Sequence, residues 1–167
     1  AHWQDCSVKA ILVIGGGNSA MDVARSAKRL NPQHTVIVSC LESADTMPAF
    51  AEEVRHAVEE NIQFIHQSYV KDCSVSGTGR IDIRLHTYGK DEWLQAFTCD
   101  YVITAIGQQS DQAAFGKAWP DRVDAQGRLV NENGYSGYKN VYVAGDLSSG
   151  NHMSVIGAIA SGKKAAV

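Results

Sequence analysis

Lys9-Ala10-Ile11-Leu12-Val13-Ile14-Gly15-Gly16-Gly17-Asn18-Ser19-Ala20 begins as a continuous apolar run and breaks into three glycines. A short run without polar alternation fits a strand covered on both faces, as in a parallel sheet. Beyond the glycines, Ala20, Val23, Ala24, Ala27 and Leu30 recur at helical spacing and predict a helix with one apolar face. Asp22, Arg25, Lys28 and Arg29 take its other side. Asn31-Pro32 stops it, because a residue before proline disfavours helical angles. Residues 35–41 then read as a second strand and Asp45-Thr46-Met47-Pro48 as a connecting loop. Residues 51–60 read as a short helix with Val54, Ala57 and Val58 facing inward, and residues 62–66 as a third strand. Glu52 and Glu53 suit the positive end of that helix.

The pattern changes after this point. Residues 69–75, 80–88 and 93–98 are strand-like and are joined by the turns Ser76-Gly77-Thr78-Gly79 and Gly89-Lys90-Asp91. Ile81, Ile83 and Leu85 alternate with Asp82, Arg84 and His86, which leaves one face wet and predicts a small antiparallel meander. Residues 101–106 return to the buried-strand pattern and end at Gly107. Residues 108–139 are mixed loop and short elements, with turns near Asp124-Ala125-Gln126-Gly127 and Asn133-Gly134. Residues 140–144 predict another strand, followed by Gly145-Asp146, a loop of Gly, Ser and Asn, and a helix over 154–167. The expected fold class is α/β: a Rossmann-like parallel sheet with helices on both faces and a small antiparallel meander.

Composition sets the outer limits. The chain has 167 residues, 44% hydrophobic and 20% charged, enough apolar surface for a folded core and too much for a disordered chain. No apolar run approaches the roughly 20 residues needed to cross a bilayer. The net charge is −3 and no stretch gathers Lys and Arg, so neither nucleic acid nor membrane is an expected partner. Cys6, Cys40, Cys73 and Cys99 form no CxxC, which argues against a zinc knuckle or a redox dithiol. With no secretory signal visible, a cytoplasmic protein with reduced thiols is expected. The six histidines (2, 34, 56, 66, 86, 152) show no ligand spacing, and no metal site is expected. A first residue other than Met and a helix running to the last residue lead us to expect a piece of a longer polypeptide.

Three stretches could carry chemistry. Gly15-x-Gly17-x-x-Ala20 lies between a predicted strand and a predicted helix, the context of a dinucleotide fingerprint. Gly15 would permit the tight turn, Gly17 a close approach to a pyrophosphate, and Ala20 close helix–strand packing. Asn18 and Ser19 are the first polar side chains at a helix N-terminus that favours phosphate. The competing reading is a merely structural turn. At the end of the second strand, Ser39-Cys40-Leu41-Glu42-Ser43 offers Glu42 as the acidic residue for an adenosine ribose. It carries no Arg for a 2′-phosphate, so NAD is favoured over NADP. Alternatively Glu42 is a solvated loop residue, since it lies 27 positions after Gly15 (42 − 15) rather than about 20. Tyr142-Val143-Ala144-Gly145-Asp146 can aim a carboxylate at a hydroxylated ligand, or it is a turn with a capping Asp. Tyr135-x-x-x-Lys139 matches the tyrosine–lysine pair of short-chain dehydrogenases. That pair needs a helix, and the surrounding glycines predict a turn.

Four of these segments together resemble a known group. They are residues 13–25, Met47-Pro48-Ala49 with Glu52-Glu53, Ala105-Ile106-Gly107-Gln108, and Val143-Ala144-Gly145-Asp146. In that order they resemble the motifs of the flavoproteins with two dinucleotide-binding domains, the pyridine nucleotide-disulphide oxidoreductase superfamily. Within it the chain is similar to the small subunit of glutamate synthase and related FAD/NAD(P)H electron-transfer oxidoreductases. The resemblance implies an NAD(P)-binding domain over 8–106 and the returning part of a split FAD-binding domain over 107–167. It implies nicotinamide dinucleotide seated by Gly15, Gly17, Asn18, Ser19, Ala20 and Glu42, the crossing at Gly107, and FAD seated by Gly145 and Asp146. Family members that use NADPH carry two arginines where this chain has Leu41 and Glu42. The family's FAD fingerprint precedes the nicotinamide domain, and this chain holds one fingerprint only. A missing flavin-domain half or an electron-transfer subunit is thus the implied partner, and an inactive isolated chain the implied consequence. The parent's implied activity is hydride transfer from the nicotinamide cofactor to FAD and electron transfer to another centre, with no proton-transfer catalyst in this segment. The alternative is a non-catalytic dinucleotide-binding or sensing module.

Overall fold

The computed structural model describes residues 10–108, 123–124, 128–130, 133–148 and 154–166. Lys9, the expected turn residues 125–127, the loop 149–153 and Val167 lie outside them. The chain divides into two compact units, residues 1–107 and 108–167.

The first unit is built on a four-stranded parallel sheet. In chain order its elements are β1 (Ala10–Ile14), α1 (Asn18–Leu30), β2 (Thr35–Ser39), α2 (Ala51–Glu59), β3 (Gln63–Ile65), β4 (Ser68–Val75), β5 (Ile81–Thr87), β6 (Trp93–Cys99) and β7 (Tyr101–Thr104). The strand order is β3-β2-β1-β7, so β1 is central. Ile14 sits opposite Ser39 on one side and Thr104 on the other.

That central position explains the unbroken apolar run. Ile11 and Val13 join Val36, Val38 and the inner face of α1 and α2 in one core cluster. Leu12, between them, points to the opposite face and packs with Ile83, Leu85 and Cys99 of the meander. Ile11, Leu12 and Val13 are therefore each buried on one side of the sheet or the other. The expected sheet, flanking helices and meander are all present. Helices were expected on both faces, but α1 and α2 pack on the same one, because the meander β4-β5-β6 covers the other.

On α1 the buried stripe is Ala20, Met21, Ala24 and Ala27, whereas Leu30 is 54% exposed. Leu30 was expected to face inward. Leu30 is the last residue of α1, next to the Asn31 cap where the helix ends. On α2 only Ala57 is fully buried, and Val58 is exposed. Arg25 of α1 pairs with Glu53 and Glu60, and Arg29 also pairs with Glu60, tying the outer sides of the two helices together. In the meander, Tyr69, Lys71 and His86 all converge on Asp91 in the β5–β6 turn.

The second unit holds α3 (Val155–Ala165) and a 3₁₀ turn at Gly145–Leu147. Ser154 caps α3 by accepting the Gly157 N–H at 3.1 Å. The strand expected over 140–144 is not a strand here. Tyr142 makes one isolated bridge to Tyr135, and no longer ladder forms among the described residues. An extended segment becomes a strand only where a neighbour pairs with it repeatedly. Residues 133–140 run through turns, with positive φ at Gly134, Gly137 and Asn140, so Tyr135 and Lys139 do not share a helix face. Among the described residues no helix is long and apolar enough to cross a membrane.

Candidate dinucleotide site

The site sits at the C-terminal end of β1. Gly15 adopts φ 136° and donates its N–H to the Ser39 carbonyl at 2.9 Å. A Cβ on Gly15 would stand 2.2 Å from the carbonyl oxygen of Ala105, just past β7. Both observations demand glycine, the first for conformation and the second for space.

Gly17 has a different role in the turn. It is the N-cap of α1 in an extended conformation that any residue adopts, and no atom lies within 4 Å of where its Cβ would stand. Its carbonyl accepts the Ala20 and Met21 N–H groups, at 3.0 and 3.2 Å. The first N–H groups of α1 have no partner inside the helix, and no side chain caps this end. Open space therefore meets the positive end of a 13-residue helix, a geometry suited to a phosphate.

The remaining sequence-predicted residues are placed as follows. Ala20 is fully buried in the core between α1 and the sheet, and Ser19 is exposed at the helix end. Asn18 is partly buried, and its Oδ1 accepts the Phe50 N–H at 2.8 Å. The carbonyl end of its amide is thus committed to the start of α2. The Ala49 N–H adds a second tie, to the Gly16 carbonyl at 3.1 Å. Together these bonds hold the segment after β2 against the glycine turn.

Glu42 follows β2 in a loop pinned by the Gln67 N–H, which donates to the Glu42 carbonyl at 3.0 Å. Its side chain reaches back over the glycines. Oε2 is buried without a hydrogen-bond partner and lies 2.6 Å from where a Cβ on Gly16 would stand. A buried acceptor with no donor carries a desolvation cost that a ligand hydroxyl would relieve. Beside it, Cys40 donates weakly to the Glu42 carbonyl, and burial pushes its thiol up to about 11, with the Glu42 carboxylate adding to the shift. Cys40 is accordingly a neutral thiol rather than a nucleophile.

Gly15, Gly17, Asn18, Ser19, Ala20 and Glu42 thus gather at one end of the sheet in the first unit, and exposed Gly107 (φ 82°) is its last residue. Gly145 and Asp146 belong to the second unit. Gly145 has φ 70° and donates its N–H to Ser161 Oγ at 2.7 Å, and Asp146 is exposed in the 3₁₀ turn. Among the described residues no three His, Cys, Asp or Glu side chains are grouped to hold a metal ion. Sequence reasoning missed Gly16 and the Asn18–Phe50 tie. The available signal was the triplet itself, which holds one glycine more than the fingerprint requires. A bare acceptor for a ribose hydroxyl beside an open helix N-terminus fits a dinucleotide.

The family model for pyridine nucleotide-disulphide oxidoreductases matches residues 1–162. The glutamate synthase (NADPH) small chain of Azospirillum brasilense is 31% identical over 185 residues, covering 95% of this chain and 36% of that one. The NAD-dependent dihydropyrimidine dehydrogenase subunit PreT of Escherichia coli (strain K12) is 30% identical over 158 residues, covering 95% and 35%. The crystal structure of T. acidophilum thioredoxin reductase matches with a TM-score of 0.78 at 24% identity, over 95% of this chain and 50% of that one, which is a likeness of fold. The first curated relatives are far longer, and the chain spans between 16% and 37% of their lengths. The chain belongs to the pyridine nucleotide-disulphide oxidoreductase family.

Proposed function

We propose that this chain is the NAD(P)H-binding portion of an FAD-dependent oxidoreductase that passes hydride from a nicotinamide cofactor to FAD, and electrons then to another centre. The observation that carries the proposal is the bare Glu42 Oε2 beside the open N-terminus of α1. Residues 8–106 serve as the nicotinamide-binding domain, and residues 107–167 as the returning part of a split FAD-binding domain. When bound, the nicotinamide supplies the hydride and the flavin accepts it.

The chain's own residues bind and orient. The turn at Gly15 and Gly17 brings backbone N–H groups to the pyrophosphate, and Asn18 and Ser19 border the same end of α1. Ala20 keeps that helix close to the sheet, and Glu42 accepts from the adenosine ribose hydroxyls. Gly107 carries the crossing to the flavin domain, where Gly145 and Asp146 seat FAD. No residue here acts as a proton-transfer catalyst. The implied partner is the other half of the flavin domain or an electron-transfer subunit, and the cysteine usage supports a cytoplasmic setting.

Glu42 also supports NAD over NADP, since a 2′-phosphate beside its carboxylate would be repelled. The relatives are divided on this point, one being named for NADPH and another for NAD. The test is titration of NADH and NADPH against the intact protein, with flavin absorbance followed under anaerobic conditions. Tighter NADH binding with flavin bleaching is expected. Tighter NADPH binding defeats the Glu42 assignment, and binding without bleaching selects the non-catalytic binding or sensing module.

A further inference from the structure

The three glycines differ in what surrounds them. A Cβ on Gly15 would strike backbone, and one on Gly17 would meet nothing. A Cβ on Gly16 would lie 2.6 Å from Glu42 Oε2, 3.3 Å from Glu42 Cδ and 3.3 Å from Cys40 Cβ. Gly16 has no positive φ, so its backbone tolerates alanine. The conflict is with a side chain only. Cys40 is fixed by the backbone leaving β2, whose N–H donates to the Ile65 carbonyl at 3.1 Å. The Glu42 side chain is the movable party, and its Oε2 has no hydrogen bond holding it in place.

We infer that Gly16 is a specificity-determining position: its missing side chain is the space in which the Glu42 carboxylate lies, and filling that space displaces the group that discriminates between NAD and NADP. The fingerprint leaves this position open to any residue. Here it acts as a positioning residue that works through Glu42, and the inference rests on the ribose-reading role proposed above for Glu42.

The test is dissociation constants for NADH and NADPH, measured by nicotinamide fluorescence on the intact protein. Wild type, Gly16→Ala, Glu42→Gln and the double variant are compared. Glu42→Gln is expected to narrow the preference for NADH about ten-fold, the scale of one lost hydrogen bond to a charged group. Gly16→Ala is expected to narrow it similarly, and the double variant no further. If Glu42→Gln narrows the preference while Gly16→Ala retains it, the role of Glu42 stands and the inference about Gly16 is overturned. If Glu42→Gln leaves the preference unchanged, the role of Glu42 fails and the inference fails with it. Should Gly16→Ala not fold, Gly16→Ala/Glu42→Ala removes the carboxylate it would strike. That variant is expected to fold and to match Glu42→Ala alone in its preference. If it stays unfolded, or binds both dinucleotides more weakly than Glu42→Ala, the clash is elsewhere and the inference falls.

Discussion

The side-chain carbonyl of Asn18 accepts the backbone N–H of Phe50 at 2.8 Å, joining the first residue of α1 to the residue that precedes α2. Replacing Asn18 with Ala leaves that N–H to water and frees the segment after β2, so we expect a loss of about 1 kcal/mol. Asn18→Asp keeps the acceptor and is expected to hold most of the stability, while placing a carboxylate where phosphate would sit. Urea denaturation and NADH titration of the two variants separate the roles. Equal stability for Asn18→Ala and wild type would show that the tie contributes nothing.

Gly15 gives the sharpest structural prediction. At φ 136°, with a Cβ 2.2 Å from the Ala105 carbonyl oxygen, alanine has neither the conformation nor the room. The obstacle is backbone, which cannot swing aside. Gly15→Ala is expected to destabilise the first unit by several kcal/mol, at or beyond the ~3 kcal/mol of a strained backbone position. Gly17→Ala, which meets open space, should leave the melting temperature within a few degrees and lower dinucleotide affinity instead. A thermal melt of both variants suffices, and similar losses for the two would refute the distinction.

Local pattern made much of this fold legible, and the limits were set by long-range contact. The run over β1 announced burial on both faces, and the alternation of Ile81, Ile83 and Leu85 announced a meander with one wet face. Neither told which face of the sheet the meander would cover. That depends on Leu12 meeting Leu85 across more than seventy residues of chain. The segment over 140–144 has strand composition, yet a ladder needs a neighbour, and sequence composition does not report whether one is present. Glu42 was found because it is the only acidic residue in the stretch Ser39 to Ser43 where β2 ends. Gly16 escaped notice because its neighbour is a side chain 26 positions away (42 − 16), and the motif assigns that position nothing.

The cysteines should separate by burial. Cys40 and Cys99 are buried and their thiols are pushed up to about 11, chiefly by desolvation, with nearby Glu42 and Asp100 adding to it. Cys73 is exposed on β4. Brief treatment with iodoacetamide at pH 8 should label Cys73 and spare Cys40 and Cys99 until the protein is unfolded, as read by peptide mass spectrometry. The raised thiols also fix a direction in pH. Their contribution to stability is complete below the unfolded thiol pKa, about 8.5, and is lost as pH rises toward about 11. Early labelling of Cys40 in the folded protein would contradict its placement.

Glu60 should show the opposite dependence. Burial raises its carboxyl pKa, but hydrogen bonds from Arg29 and Arg25 outweigh that and hold it below the usual carboxylate range. A depressed folded pKa means the contribution is present above the unfolded value of about 4.3 and is lost as pH falls through the folded value. Glu60→Gln should therefore cost about 1–2 kcal/mol at pH 7, the scale of hydrogen bonds to a charged group, and the difference from wild type should shrink by pH 3. Between the partners, Arg25 is 14% exposed and Arg29 62%. Solvent screens the second pair more, so Arg25→Ala is expected to be the costlier change. Urea denaturation of Glu60→Gln, Arg25→Ala and Arg29→Ala at pH 7 and pH 3 checks both points. A Glu60→Gln penalty that is unchanged at pH 3 would mean that its packing, not its charge, joins the two helices.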